Sequence, residues 1–229
     1  IPGTDGEWHE YWLKERLGWY ATYGMKKEKL RLRALDKEEL SHYSSATSDI
    51  EYEFPFGWSE LEGIADRTDF DLKQHTKFSG KDLTYFDEET KERYIPYVIE
   101  PSAGADRATL AFLTDAYSEE GDRVFLKLHP LLAPYTVAVF PLLANKENLV
   151  AKAREIYEKL RLSFMAAWDD RGNIGKRYYS QDEIGTPWCV TVDFETLEND
   201  TVTVRDRDTA KQERVAVTDL ASFFAEKLV

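Results

Sequence analysis

The chain has 229 residues, 42% hydrophobic and 32% charged, which is the make-up of a globular protein with room for one large or two ordinary domains. No apolar run approaches the roughly 20 residues that a membrane-spanning helix needs, and no basic-then-apolar leader is present. The lone Cys189 excludes an internal disulfide and a cysteine-based zinc cluster, so a cytoplasmic protein with no membrane partner is expected. A net charge of −13 argues against indiscriminate binding to phosphate backbones; nucleic acid would have to be met by a few basic residues gathered on one face.

Residues 6–23 carry Trp8, Tyr11, Trp12, Trp19 and Tyr23 at roughly helical spacing, which predicts a helix burying an aromatic stripe, capped by Asp5. Residues 48–56 alternate as a strand, and residues 94–99 form a short apolar strand. Residues 104–117 read as a helix with Leu110, Phe112, Leu113 and Tyr117 buried. The two prolines of residues 127–134 suit a connection, dividing the chain into regions 1–129 and 130–229.

Beyond the connection, residues 136–140 are a buried strand. Residues 146–164 are an amphipathic helix with Leu149, Ala153, Ile156, Leu160 and Phe164 on one face. Residues 172–185 hold a short helix or ordered loop. Strands at 189–194 and 201–205 are linked by a hairpin turn at 198–200, and residues 217–228 close as a helix. This order predicts a small α/β domain around one mixed sheet.

The residues suited to chemistry precede the connection: Glu60-Leu61-Glu62-Gly63, then Arg67-Thr68-Asp69-Phe70-Asp71, and later Glu100-Pro101-Ser102-Ala103-Gly104-Ala105-Asp106-Arg107. The last stretch reads as a strand end delivering a carboxylate and a hydroxyl, a glycine permitting a tight turn, and a helix opening with an arginine. Such a corner suits a site that holds an ammonium and a phosphate close together. Glu60 and Glu100 would bind an amine or a magnesium ion, and Arg107 phosphate oxygens. On physics alone, surface charges around a turn are an equal alternative. Cys189 and the isolated His9, His42, His75 and His129 are given no catalytic role, and no dedicated metal site is predicted.

Taken in order, these motifs resemble those of class II aminoacyl-tRNA synthetases, in the form typical of the glycyl-tRNA synthetases. Residues 100–107 are similar to the third signature motif of that class, and residues 56–65 and 67–72 resemble the stretch before it. Gly175-Lys176-Arg177-Tyr178, residues 181–187 and residues 201–208 resemble the anticodon-binding domain. The resemblance covers nearly the whole chain. It implies an α+β catalytic part on an antiparallel sheet over 1–129, then a mixed-sheet α/β anticodon-binding domain over 130–229. The implied activity is that of a glycine–tRNA ligase, which activates glycine with ATP to glycyl-adenylate and transfers it to tRNA(Gly).

The resemblance also implies roles for single residues. Glu60 and Arg107 would carry catalysis. ATP would be held by Glu60, Leu61, Gly104, Ala105, Asp106 and Arg107, with Glu60 acting directly or through Mg2+ and Asp106 mainly opening the helix. Glu100 and Ser102 would receive the glycine ammonium. Lys176, Arg177, Arg205 and Arg207 would hold tRNA. For the last two there is a local basis, because alternation in Arg205-Asp206-Arg207-Asp208 puts both arginines on one face, although pairing with the aspartates is the alternative.

Glycine's size lets a crowded pocket reject other amino acids, so no editing domain is required. The two earlier class II motifs lie upstream of the segment resembling residues 2–5. The chain is therefore expected to be part of a longer one, inactive alone, with homodimerisation belonging to the full-length enzyme. Two other readings are a non-catalytic, synthetase-derived accessory protein and an unrelated α/β nucleotide-using enzyme.

Overall fold

Strands that alternate apolar and charged side chains dominate the first part of the chain. In the computed structural model, which describes residues 1–228, this part is a compact unit ending at Asp115, and a second unit begins at Ala116. Helix α1 (Asp5–Thr22) leads into β1 (Leu30–Ala34), β2 (Ala46–Phe54) and β3 (Gly57–Asp66). Then come α2 (Phe70–Ser79), the two-residue strands β4 (Tyr85–Phe86) and β5 (Arg93–Tyr94), β6 (Ile99–Ala103) and α3 (Ala105–Ala116).

The main sheet runs β1-β2-β3-β6, antiparallel throughout. Ile50, Tyr52 and Phe54 of β2 enter the core, so Asp49, Glu51 and Glu53 take the other face. A β-bulge lies at Leu61, because Glu51 pairs with Glu60 while Ile50 pairs with Glu62. The extra residue shifts the phase of β3: Leu61, Glu62 and Ile64 are buried, and Glu60 joins Gly63 on the face away from α1.

Helix α1 covers the core face through His9, Leu13, Leu17 and Tyr20. The His9 ring nitrogen Nε2 lies 3.0 Å from the Ile64 carbonyl. Buried Glu62 accepts from Arg16 Nε at 2.6 Å, from Arg16 Nη2 at 3.0 Å and from the Tyr20 hydroxyl at 2.7 Å. Burial, with Glu62 beside it, pushes the Tyr20 phenol well above its usual range.

The expected aromatic stripe is therefore not the buried face. Trp8 is 50% exposed and Tyr11 45%, because the i, i+4, i+7, i+8 row starting at His9 faces the sheet instead. Thr4, not Asp5, occupies the cap position. In α3 the inward residues are Ala108, Ala111 and Phe112, small enough at two positions to bring the helix close; Leu110, Leu113 and Tyr117 are exposed, against expectation. The strand expected at 94–99 is displaced to β6.

The second unit opens with a hairpin, β7 (Tyr117–Glu120) and β8 (Arg123–Leu126). It continues through β9 (Val137–Pro141), α4 (Glu147–Leu160), β10 (Ala166–Trp168), α5 (Ile174–Ile184), β11 (Trp188–Val192), α6 (Phe194–Asn199), β12 (Thr201–Asp206), β13 (Gln212–Ala216) and α7 (Leu220–Lys227). The sheet order is β10-β9-β11-β12-β13. The first three strands are parallel and the last two antiparallel to their neighbours, which makes the sheet mixed.

One face packs on α4 and α7 through Leu149, Ala153, Ile156, Leu160, Leu220 and Phe224, and the other on α5 through Ile174 and Tyr178. The expected hairpin turn at 198–200 is instead the end of α6. Asp193 and Thr196 form a reciprocal capping box, so the chain leaves β11 into a helical turn and re-enters the sheet at β12. Gly185 ends α5 at φ +85°, and a Cβ there would lie 2.9 Å from Leu128 Cδ1 and 3.1 Å from the Leu126 carbonyl. This close approach packs the segment after β8 against the end of α5.

Candidate active site

The face of the first sheet away from α1 gathers Glu60, Ser102 and Glu100, whereas Arg107, expected beside them, reaches β3 from the opposite face, against Ser59 and Phe54. In the pairing of β3 with β6, Gly63 lies opposite Ser102 and Ala65 opposite Glu100; in the pairing with β2, Gly63 lies opposite Asp49. Directly paired residues share a face, and so do residues two apart. Asp49, Gly63, Ser102 and Glu100 are therefore neighbours on it. Glu60 joins them through the bulge: a Cβ placed on Gly63 would lie 3.6 Å from both Glu60 Oε1 and Asp49 Oδ1. The missing side chain leaves a notch with two carboxylate oxygens converging on it.

Arg107, in the first turn of α3, donates from Nε to the Glu60 carbonyl and from Nη2 to Ser59 Oγ. Its guanidinium also lies 5.5 Å from the Phe54 ring centre. Glu60, Ser102 and Arg107 are exposed and Glu100 is half-buried. Leu61 is buried in the core, so a contact with a ligand there would come from its backbone. Gly104, Ala105 and Asp106 are exposed where α3 begins, and the Gly104 carbonyl accepts from the Ala108 N–H at 2.9 Å. Gly104 does not adopt a left-handed φ, so the turn does not demand a glycine; its effect is to keep the strand–helix corner bare.

Two further groups on this side were not assigned roles from the sequence. Asp49 is 7% exposed, and burial, together with the charge of Glu60, pushes its carboxyl above the usual range. Its position was readable from the alternation Asp49-Ile50-Glu51, but its burial depends on the strands beside it. Arg67 donates from Nη1 to Glu100 Oε2 at 2.7 Å and grips Asp71 with two bonds, Nε–Oδ2 at 2.5 Å and Nη2–Oδ1 at 2.8 Å. The four-residue spacing of Arg67 and Asp71 was the sequence signal for that pair. Among the described residues, no group of three or more His, Cys, Asp or Glu side chains is arranged to hold a metal ion.

The basic residues assigned to tRNA divide differently. Lys176 is exposed near the start of α5. Arg177 is 2% exposed and donates to the carbonyls of Pro141, Arg171 and Gly172. Arg205 is 6% exposed and makes two bonds to the fully buried Asp182, at 2.8 and 2.9 Å, while Arg123 donates to the same carboxylate at 2.8 Å. Arg207 is 2% exposed and donates to the carbonyls of Gly185 and Leu128 and to Asp208. These three guanidinium groups are buried internal fasteners: α5 covers Arg205, the Gly185 and Leu128 carbonyls enclose Arg207, and Arg177 is tied to three carbonyls beside its own helix. Cys189 is buried, and burial pushes its thiol well up, which leaves it inert. No helix among the described residues is long and apolar enough to cross a membrane.

Comparison with known proteins fits this division of the chain. A family model described as an anticodon binding domain matches residues 136–227. Over 99% of its length the chain is 57% identical to a glycine–tRNA ligase of Clostridium kluyveri and 57% identical to that of Alkaliphilus metalliredigens. It is 54% identical to that of Geobacillus kaustophilus, again over 99% of its length. Over nearly its whole length the chain is thus similar to glycine–tRNA ligases. It spans about half the length of these curated relatives, 50% of each of the three. The antiparallel sheet of the first unit and the mixed sheet of the second are the expected α/β architecture, with the anticodon-binding match confined to the second unit.

Proposed function

We propose that the chain contributes an amino-acid-activating face and a tRNA-binding unit to a full-length glycine–tRNA ligase. The first step joins a glycine carboxylate oxygen to the α-phosphorus of ATP and breaks the bond to the β-phosphate, releasing pyrophosphate. In the second, a terminal ribose hydroxyl of tRNA(Gly) takes the glycyl group and AMP leaves. The observation that carries the reading is one sheet face presenting Glu60, Ser102 and Glu100, with Arg107 bonded to the backbone of Glu60 from the other side of β3.

On this reading each residue works by position and charge rather than as a nucleophile. Arg107 and the N–H groups at the start of α3, from Gly104 to Asp106, meet the negative phosphates. Glu100 and Ser102, two residues and so roughly 7 Å apart along β6, face the glycine ammonium. Glu60, an exposed carboxylate with Asp49 beside it, offers the hard oxygen that Mg2+ prefers, and an ion arriving with ATP needs few protein ligands. When bound, that ion supplies neutralisation of phosphate charge. In the second unit Lys176 faces the anticodon end of tRNA, while the buried arginines hold the shape of the surface it stands on. The full-length protein is proposed to be a cytoplasmic homodimer.

The test is glycine-dependent ATP–pyrophosphate exchange by the full-length protein. Arg107→Ala is expected to lower the exchange rate by roughly 100-fold or more, as for loss of a preorganised charge at a reacting phosphate. Wild-type exchange in that variant, in a protein that still melts normally, would remove Arg107 from the site.

A further inference from the structure

Building on that reading, we propose that Arg67 is a positioning residue for the amino-acid site, holding Glu100 so that one carboxylate oxygen is fixed and the other is presented to the substrate ammonium. Glu100 and Asp71 share the Arg67 guanidinium, with three bonds of 2.5, 2.7 and 2.8 Å. The Arg67 side chain is 19% exposed, whereas that of Glu100 is 45% exposed, so the anchor is covered and the anchored group is open. The Tyr43 ring lies 4.1 Å from the guanidinium and forms its lid, and Tyr43 and His42 in turn pack against Phe70 at the start of α2.

The backbone is fixed as firmly. The Arg67 N–H donates to the Val98 carbonyl at 2.9 Å and the Val98 N–H to the Thr68 carbonyl at 2.8 Å, which extends the pairing of β3 with β6 past the turn. Thr68 itself sits at φ +49°, a costly conformation for a β-branched residue, and its N–H bonds Asp66 Oδ1 at 3.0 Å. A segment held in this way sets the direction of Arg67 and, through it, of Glu100.

Charge supports the same role. One guanidinium between two carboxylates leaves the trio with a net charge of −1, which a single ammonium neutralises. The hydrogen bonds of Asp71 hold its carboxyl below, and the Arg67 guanidinium above, their usual ranges, so both stay ionised. A guanidinium chelated by one acid, bonded to a second and stacked on a ring is not available to phosphate; its contribution passes through Glu100. The Arg67-to-Asp71 motif of the sequence thus acquires a purpose that the resemblance alone did not give it.

The experiment measures pyrophosphate exchange by the full-length protein for wild type, Arg67→Met, Arg67→Lys, Glu100→Gln and the Arg67→Met/Glu100→Gln double variant. Arg67→Met is expected to raise the KM for glycine roughly tenfold or more, as for loss of a charge-assisted bond, while the KM for ATP holds. Arg67→Lys recovers part of the loss, because a point charge replaces the fork. The double variant is no worse than Glu100→Gln alone. Equal rises in both KM values, or additive losses in the double variant, overturn the positioning role and leave Arg67 a structural staple. If Arg67→Met does not fold, the same comparison is made with Arg67→Lys. A wild-type glycine KM in Glu100→Gln would instead overturn the amino-acid site itself.

Discussion

The two units use similar residues for opposite purposes. In the first, Glu60 on β3 and Arg107 on α3 both stand exposed, Arg107 held through a backbone carbonyl and a hydroxyl. In the second, Arg177, Arg205 and Arg207 are 2–6% exposed, bonded to Asp182, Asp208 and a set of carbonyls. An arginine-rich strand end therefore does not mark a ligand surface unless the opposing layer leaves it open. Here α5 closes over Arg205, and the segment after β8 closes over Arg207.

The comparison is broken most directly at Asp182. Asp182→Ala leaves Arg205 and Arg123 without their shared carboxylate, and should destabilise the second unit by about 3–5 kcal/mol. Urea denaturation measures this, and Arg107→Ala in the first unit should shift the same measurement by under about 0.5 kcal/mol. Equal losses for the two would mean that the units do not differ in the way described.

A somewhat smaller effect is expected at Gly185. Gly185→Ala places a methyl 2.9 Å from Leu128 Cδ1 at a left-handed φ, and should cost roughly 2–4 kcal/mol. A melting temperature matching wild type would mean that the chain after β8 is not packed against α5.

The smallest effect concerns pH. Burial pushes the Asp193 carboxyl up, but the Arg214 guanidinium and the bonds from Thr196 outweigh it and hold the group below the usual carboxylate range. A lowered folded-state pKa contributes stability above the ordinary carboxylate value of about 4, and that stability is lost as pH falls through the folded value. Asp193→Asn keeps the capping oxygen but removes the charge. Its denaturation midpoint should therefore vary less between neutral pH and acid than that of wild type. An unchanged pH dependence would show that Asp193 is not ionically held.

What the sequence determined by itself is local in character. The apolar face of α4, with Leu149, Ile156 and Leu160, could be read because one helix carries the whole pattern. The parallel core strands could be read because both their faces are buried, which leaves an apolar run in β9 and one broken only by Thr191 in β11. The order of motifs from Glu60 to Arg107 was legible for the same reason, since each motif is contiguous.

The tertiary structure decided matters that depend on what lies opposite. It turned the α1 helix so that His9 and Tyr20 face the sheet and the tryptophans do not. The bulge at Leu61 put Glu60 on the face of Gly63 and Ser102, a switch that a strict alternation of two would have assigned to the other side. It also buried three arginines that composition would place at the surface. The physical reason is common to all three: burial belongs to pairs of elements, and the free energy of a charged side chain depends on whether its neighbour leaves it to water or supplies a matching partner.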